Sequence, residues 1–341
     1  MSRRVLVFVV VCVVSLGGAT AYAVSDLDRY RDEIADAPAL DTAPASSFAD
    51  GPRIVFRNTA IGPDYGKVAT VALDDPHGPR DVTDLDCDRI DVVPEGGSCL
   101  QSDPGVVTRY RWLDLDADLD EVDETPLVGM PSRTRLSPDG SMVASTVFVA
   151  GHSYSQVGFS TATVVREVGG STWGNLEKFQ LVMDGKAVRP ADRNVWGVTF
   201  DRTGPGFYAT VATGGTPYLV RGDLEARTLT TVRAGAECPA QSPDGTRVAY
   251  KKDIGKDLGE DTVHWAIAVL DLASGKETVL DAEDRSVDDQ VQWLDDDTLL
   301  YALPRDDDPG TTDVWELAAD GSSAPDVLIE QAWSPAVVRT S

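Results

Sequence analysis

The sequence predicts an all-β protein: a six-bladed β-propeller of four-stranded antiparallel blades, closed by strands from both ends of the chain. One amino-terminal transmembrane or signal helix precedes it. Three observations predict this. Short runs of strand formers recur through the body, and no long stretch there shows the 3.6-residue apolar period of a helix. One hairpin is written twice, as TRLSPDGSMVASTV from Thr134 and as CPAQSPDGTRVAYKK from Cys238. Ahead of the body lies a single apolar run without a charge. With 341 residues and 42% hydrophobic content the chain has material for a full core, which argues against a disordered protein.

Residues 1–24 form the first element. Ser2-Arg3-Arg4 precedes an uncharged run from Val5 to Val24. At about 1.5 Å per residue, a helix of this run reaches about 30 Å, the thickness of a bilayer core. The arginines would hold the amino end in the cytoplasm. The expectation is a single-pass anchor in the cell membrane, with the propeller on the extracytoplasmic side. The alternative is a signal peptide cut near Ala23, because Ala21-Tyr22-Ala23 has the form of a cleavage site; the body would then be secreted. Residues 25–52 read as a tether, with a short helix in the first half and an Ala, Pro and Ser-rich second half. The propeller occupies residues 53–341.

The stretch from Glu237 serves as the blade template. ECPAQ reads as an inner strand and SPDG as a tight turn, in which Pro243 fixes its own φ, Asp244 bonds nearby backbone and Gly245 relieves the geometry. TRVAYKK, HWAIAVLDLASG and KETVLDAED follow as second, third and fourth strands. Four strands in about 50 residues make a propeller blade. The pattern recurs from Val287, from Arg193 and, in degenerate form, from Cys87. The blade holding Ser137-Pro138-Asp139-Gly140 is expected to continue through VASTVFV, FSTATVV and KFQLVMDG. The segments RIVFRNT, GKVATVALDD and PRDVTDL supply only the second to fourth strands of a sixth blade. Its inner strand is expected from QAWSPAVV, with Ser334-Pro335 in the place of the turn serine and proline. Closure of this kind removes exposed sheet edges.

SPDGTRVAYKK followed by AVLDLASGKETVL resembles the WD40-like (PD40) repeat of TolB-like propellers, over roughly residues 53 to 338. The resemblance implies the fold, and it places the chain beside the uncharacterised membrane-anchored propellers of bacterial envelopes. TolB itself joins its propeller to an α/β domain and holds a lipoprotein peptide at the propeller mouth. An anchor and a tether stand in place of that domain here.

Blade order predicts which loops share a face. Entrances to the inner strands bring Asp86, Asp88 and Arg89, then Arg133, Arg193 and Trp196, Glu237, and Asp288, Asp289 and Gln290 to one mouth. Loops between second and third strands add His152, Tyr154 and Lys251. The candidate binding residues are therefore His152, Tyr154, Arg133, Trp196, Glu237, Lys251, Asp288, Asp289 and Gln290. They would form a polar funnel for a peptide, glycan or small molecule, or simply cap strands and hydrate the channel. Trp173, Trp265, Trp293 and Trp315 read as packing or sheet surface.

Of the four cysteines, Cys12 lies in the apolar run, and Cys87 with Cys99 is the expected disulfide, leaving Cys238 unpaired. No cysteine or histidine cluster has metal-ligand spacing. The run from Asp114 to Glu124 begins like a calcium loop but has Leu119 where that loop needs glycine and Thr125 where it needs glutamate. Neither a nucleophile elbow, a zinc-protease helix, a P-loop nor a dinucleotide fingerprint is present, so no cofactor and no catalytic residue are expected. A net charge of −26 repels nucleic acid and anionic headgroups and keeps a monomer soluble. The functional expectation is an exported, anchored module that binds or assembles an envelope protein, peptide or glycan. The alternative is a propeller hydrolase or lyase acting on envelope sugars or peptides.

Overall fold

The computed structural model describes residues 3–36, 40–43, 51–149 and 160–339. A helix, α1 (Arg3–Asp36), runs unbroken through the apolar segment and into the tether sequence. The side chains of residues 6–10 and 30–36 lie outside the described part. Among the described residues, no helix is long and apolar enough to cross a membrane. Beyond α1 the backbones of Asp41 and Ala43 bracket Arg80: Ala43 N–H donates to the Arg80 carbonyl, and Arg80 N–H donates to the Asp41 carbonyl.

The body is a six-bladed propeller. In chain order the strands are β1 (Arg53–Asn58), β2 (Lys67–Ala72) and β3 (Asp81–Asp86) of blade 1, then β4 (Arg89–Val93), β5 (Gly96–Asp103), β6 (Arg109–Leu115) and β7 (Glu121–Pro126) of blade 2. Blade 3 holds β8 (Met130–Leu136), β9 (Met142–Val149), β10 (Ser160–Glu167) and β11 (Thr172–Asn175), followed by a hairpin of β12 (Gln180–Met183) and β13 (Lys186–Val188). Blade 4 holds β14 (Asn194–Phe200), β15 (Gly206–Thr213), β16 (Thr216–Asp223) and β17 (Thr228–Ala234). Blade 5 holds β18 (Glu237–Gln241), β19 (Arg247–Asp253), β20 (Trp265–Asp271) and β21 (Glu277–Val279). Blade 6 holds β22 (Gln292–Trp293), β23 (Thr298–Pro304), β24 (Thr312–Ala318) and β25 (Asp326–Ile329). The last strand, β26 (Ala332–Val338), pairs antiparallel with β1 and becomes the inner strand of blade 1. Both ends of the propeller chain thus build one blade, as the missing inner strand in the sequence required.

Successive residues of a strand face opposite sides of the sheet, and here both sides are apolar. Ile54 and Phe56 of β1 pack with Leu300, Ala302 and Val314 of blade 6, whereas the intervening Val55 packs with Ile90, Val92 and Leu113 of blade 2. The other gaps repeat this. Leu100 and Trp112 meet Leu136 and Val143 between blades 2 and 3. Val165 and Leu176 meet Val195 and Phe207 between blades 3 and 4. Tyr208 and Leu219 meet Val248 and Tyr250 between blades 4 and 5, and Ile267 and Ala249 meet Tyr301 and Leu299 between blades 5 and 6. Burying one such side chain contributes about 2 kcal/mol, so every blade depends on two neighbours.

Two sequence expectations are corrected. KFQLVMDG is not the fourth strand of blade 3. That place belongs to β11, while β12 runs parallel to β17 and, with β13, extends blade 4 to six strands. Burial decides it, because Leu181 is fully enclosed in the core between blades 3 and 4 beside Leu229. Nor does Ser334-Pro335 occupy a turn. It lies inside β26 at a bulge, where pairing with β1 skips from Arg57↔Trp333 to Val55↔Ala336. Its equivalent is Cys238-Pro239, at the bulge between Glu237↔Lys251 and Ala240↔Ala249. Gly197 holds the same place in β14. All three carry left-handed backbones, with φ of 66° at Gly197, 51° at Cys238 and 55° at Ser334. At Gly197 a Cβ would come within 2.8 Å of the Cys238 Cα, which explains glycine there.

The Ser-Pro-Asp-Gly turns lie between the first and second strands of blades 3 and 5. In each, the serine hydroxyl donates to the aspartate and accepts from the backbone N–H five residues on. Hydrogen bonds from Ser137 and Ser141 hold Asp139 below the usual carboxylate range. In the rewritten turn of blade 4, Asp201 stands in the serine position, since its N–H donates to the Gly206 carbonyl as that of Ser242 does to Arg247. It accepts from Thr203 N–H and hydroxyl at 2.9 and 2.7 Å, and from Gln241 of blade 5 at 3.4 Å.

Two outcomes follow for stability. Deleting residues 332–341 exposes the edge of β1 and opens two cores; the expected result is loss of cooperative unfolding by circular dichroism and an aggregated product on gel filtration. Asp201→Ala leaves two turn donors and Gln241 short of an acceptor, and a loss of about 2 kcal/mol is expected from urea midpoints.

Candidate functional site

The mouth of the propeller is built from the first residues of the inner strands. Arg89, Arg133, Trp196, Glu237, Asp288 and Trp333 come from the six blade entrances and line one cavity of about 400 Å³. Lys251, Trp265, Phe148 and Thr161, at the ends of second and third strands, complete the wall together with Ser132 and Cys238. The left-handed bulge follows Trp196, Glu237 and Trp333 directly, so one backbone device presents the lining residue of three blades.

The structure brings Arg133, Trp196, Glu237, Lys251 and Asp288 together around this cavity, and leaves two other candidates buried outside its lining. Asp289 is buried, with one carboxylate oxygen 3.4 Å from Arg89 and 3.6 Å from Arg133, across the channel. Gln290 is also buried and donates to the Val198 and Pro239 carbonyls at 3.3 and 2.9 Å. Neither residue lines the cup itself. His152 and Tyr154 lie outside the described residues.

Sequence reasoning missed Trp333, Trp265 and Phe148. Arg89 stacks on Trp333 at 4.6 Å and Lys251 on Trp265 at 4.5 Å, so the cations and indoles of the wall hold one another. Aligning Ser334-Pro335 with Cys238-Pro239 would have found Trp333, since it then occupies the position of Glu237. The run from Asp114 has no share in the mouth. Asp114 is a buried partner of Arg166, with both oxygens accepting at 2.6 and 2.8 Å, and Leu119 takes the left-handed turn position with φ 66°. Cys87 and Cys99 form a disulfide with an S–S distance of 2.04 Å beside a second cavity, of about 460 Å³, lined by Arg57, Asp88 and Arg111 among others. Cys238 is a buried free thiol whose pKa burial raises.

The electrostatics of the cup are uneven. Burial pushes the Glu237 carboxyl up to about 7; Asp288 and Asp253 add to the rise and Lys251 opposes it. Among the described residues, no donor forms a hydrogen bond to it. Asp288 lies below its usual value: burial works against its charge, but Lys251, which donates to it, outweighs burial. On the other side, burial lowers Arg89 to about 9, with Arg133 and Arg57 adding repulsion and Asp289 opposing them.

No protein-family model and no curated protein matches the sequence. Among solved structures, TolB from Acinetobacter baumannii superposes with a TM-score of 0.58 at 15% identity, over 85% of this chain and 67% of that one. A chain of a nidogen–laminin complex gives 0.50 at 13% identity, over 84% and 98%. A periplasmic gluconolactonase of Pseudomonas aeruginosa gives 0.47 at 14% identity, over 85% and 99%. At these identities the likeness is one of fold, and the fold is a TolB-like six-bladed propeller.

A carboxyl raised by the fold favours the folded state while it is protonated and loses that contribution as pH climbs through its folded value. Glu237 should therefore make the protein less stable as pH rises from about 5 to 8. Glu237→Gln should flatten that part of the melting-temperature profile and match or exceed the parent at pH 8; a profile identical to the parent's would show that Glu237 is not the titrating group.

Proposed function

We propose that this chain is an exported propeller, held at the cell envelope by α1, that binds a partner in its mouth as a binding or assembly module. The observation that supports it is the cup itself. Side chains from all six blade entrances converge on a volume fit for a small ligand or peptide end, and indole walls and charged groups combine apolar area with orienting contacts. The likeness in fold to TolB is consistent with an envelope role. The uncharged run of α1 is the reason for assigning membrane attachment, with release after Ala23 as its alternative.

A second reading is a hydrolase or lyase on envelope sugars or peptides. Glu237 favours it: a carboxyl titrating near neutrality, close to Lys251 and Asp288, has the properties of a general acid or base.

In-cell crosslinking of the full-length protein separates the readings. Changing Arg133→Gln, Glu237→Gln and Asp288→Asn together should cut recovery of a specific partner about tenfold or more, with folding intact by circular dichroism. An unchanged set of partners removes the mouth from the function. Turnover of an envelope fraction that Glu237→Gln alone abolishes establishes the enzyme instead. Attachment is checked separately: the parent should stay in membranes through alkaline carbonate extraction, and a chain lacking residues 1–24 should not be retained.

A further inference from the structure

The cup is polarised around its ring, and the cationic arc is short of anions. Arg89 and Arg133 come from blades 2 and 3, whereas Glu237, Asp288 and Lys251 come from blades 5 and 6; Arg57 of blade 1 lines the neighbouring cavity rather than the cup. Arg57 pairs in register with Trp333, the indole on which Arg89 stacks, and it bears on Arg89 electrostatically. Asp289 is the one carboxylate within ion-pair distance of this arc among the described residues, and it divides a single oxygen between Arg89 and Arg133 at 3.4 and 3.6 Å. Among the described residues Arg57 has no carboxylate within that distance, and its guanidinium rests 5.1 Å from the Tyr65 ring. Buried Nε groups of Arg57 and Arg133 have no hydrogen-bond partner among the described residues. Buried guanidinium groups are ordinarily matched by acceptors, and unpaired buried donors call for an explanation.

We propose that the mouth receives the free carboxylate end of a peptide, with the carboxylate on Arg89 and Arg133, Arg57 reinforcing the field, and the terminal side chain among Trp196, Trp265 and Phe148. A carboxylate offers two oxygens in one plane, the geometry that guanidinium forks bind best. It would supply an acceptor for the buried Arg133 Nε, and capture of chain ends is an established recognition mode. The opposite arc suits the preceding residues, because Lys251 and a Glu237 carboxyl able to carry a proton offer donors to peptide carbonyls. The overall charge of −26 makes the arc a local exception. An acidic shell discourages anions from binding elsewhere on the surface, which leaves this cup as the place where one is accepted.

The inference rests on the mouth reading, and its test keeps the two apart. The probes are a random-sequence tripeptide pool with free carboxyl ends and the same pool amidated, each equilibrated with full-length protein in detergent and read by mass spectrometry of the retained peptides. The free acids should be retained about tenfold or more over the amides. Arg133→Gln should reduce retention about 30-fold, and Arg57→Gln, which breaks no ion pair or side-chain hydrogen bond among the described residues, about threefold with the melting temperature unchanged. Equal retention of both pools, lost on Trp196→Ala, would keep the mouth and overturn the carboxylate assignment. Retention of neither pool, or displacement of the acids by inorganic phosphate at equal concentration, would overturn it as well.

Discussion

A sheet that is apolar on both faces has no stable position except between two others. That constraint governs every blade here. Ile54 and Phe56 need blade 6 as much as Val55 needs blade 2, and the same alternation passes around the ring until it returns to its start. The ring therefore holds only because β26 pairs with β1 and turns a three-stranded fragment into a complete blade. Polar ties between neighbours then fix register as well as contact: Asp114 with Arg166 between blades 2 and 3, Asp201 with Gln241 between blades 4 and 5. A buried pair such as Asp114–Arg166 adds little net stability over apolar packing, but breaking one side of it is costly.

The mouth is a by-product of that closure. Inner strands crowd around the axis, and a left-handed bulge near the start of three of them aims the preceding residue into the cup. The backbone device is shared while the side chain is free to vary: tryptophan in blades 1 and 4, glutamate in blade 5. Charge has consequently separated around the ring without any change in architecture. Positive φ at cysteine and serine costs more than at glycine, and strained residues of this kind collect where geometry serves a site.

Much of the architecture was legible because its signals are local. Turn chemistry in Ser-Pro-Asp-Gly, alternation within strands and a blade lacking its inner strand all lie within short windows. The failures came where two local patterns coincide. Ser-Pro fits the turn of blade 5 and also the bulge of β26, and the wrong match placed Ser334 in a turn and hid Trp333. KFQLVMDG has the composition of a fourth strand, and only its burial against blade 4 reveals its true neighbour. In the mouth, sequence order indicated the face but not the depth. Asp288, Asp289 and Gln290 are consecutive, yet the first lines the cavity while the next two are buried outside its lining. The bearing of Arg57 on Arg89 was invisible because it is an interaction between neighbouring blades that no spacing along the chain discloses.

The pairing of β26 with β1 also orders events in time. Of the described strands, β26 is the last to be made, and in a chain threaded amino end first through a membrane it is the last to arrive. Five blades can collapse beforehand, but the ring cannot seal, nor can Trp333 take its place in the cup, until that strand is delivered. Delivery of β26 and completion of the mouth are thus a single event, and a copy cut short before that strand would lack a finished mouth.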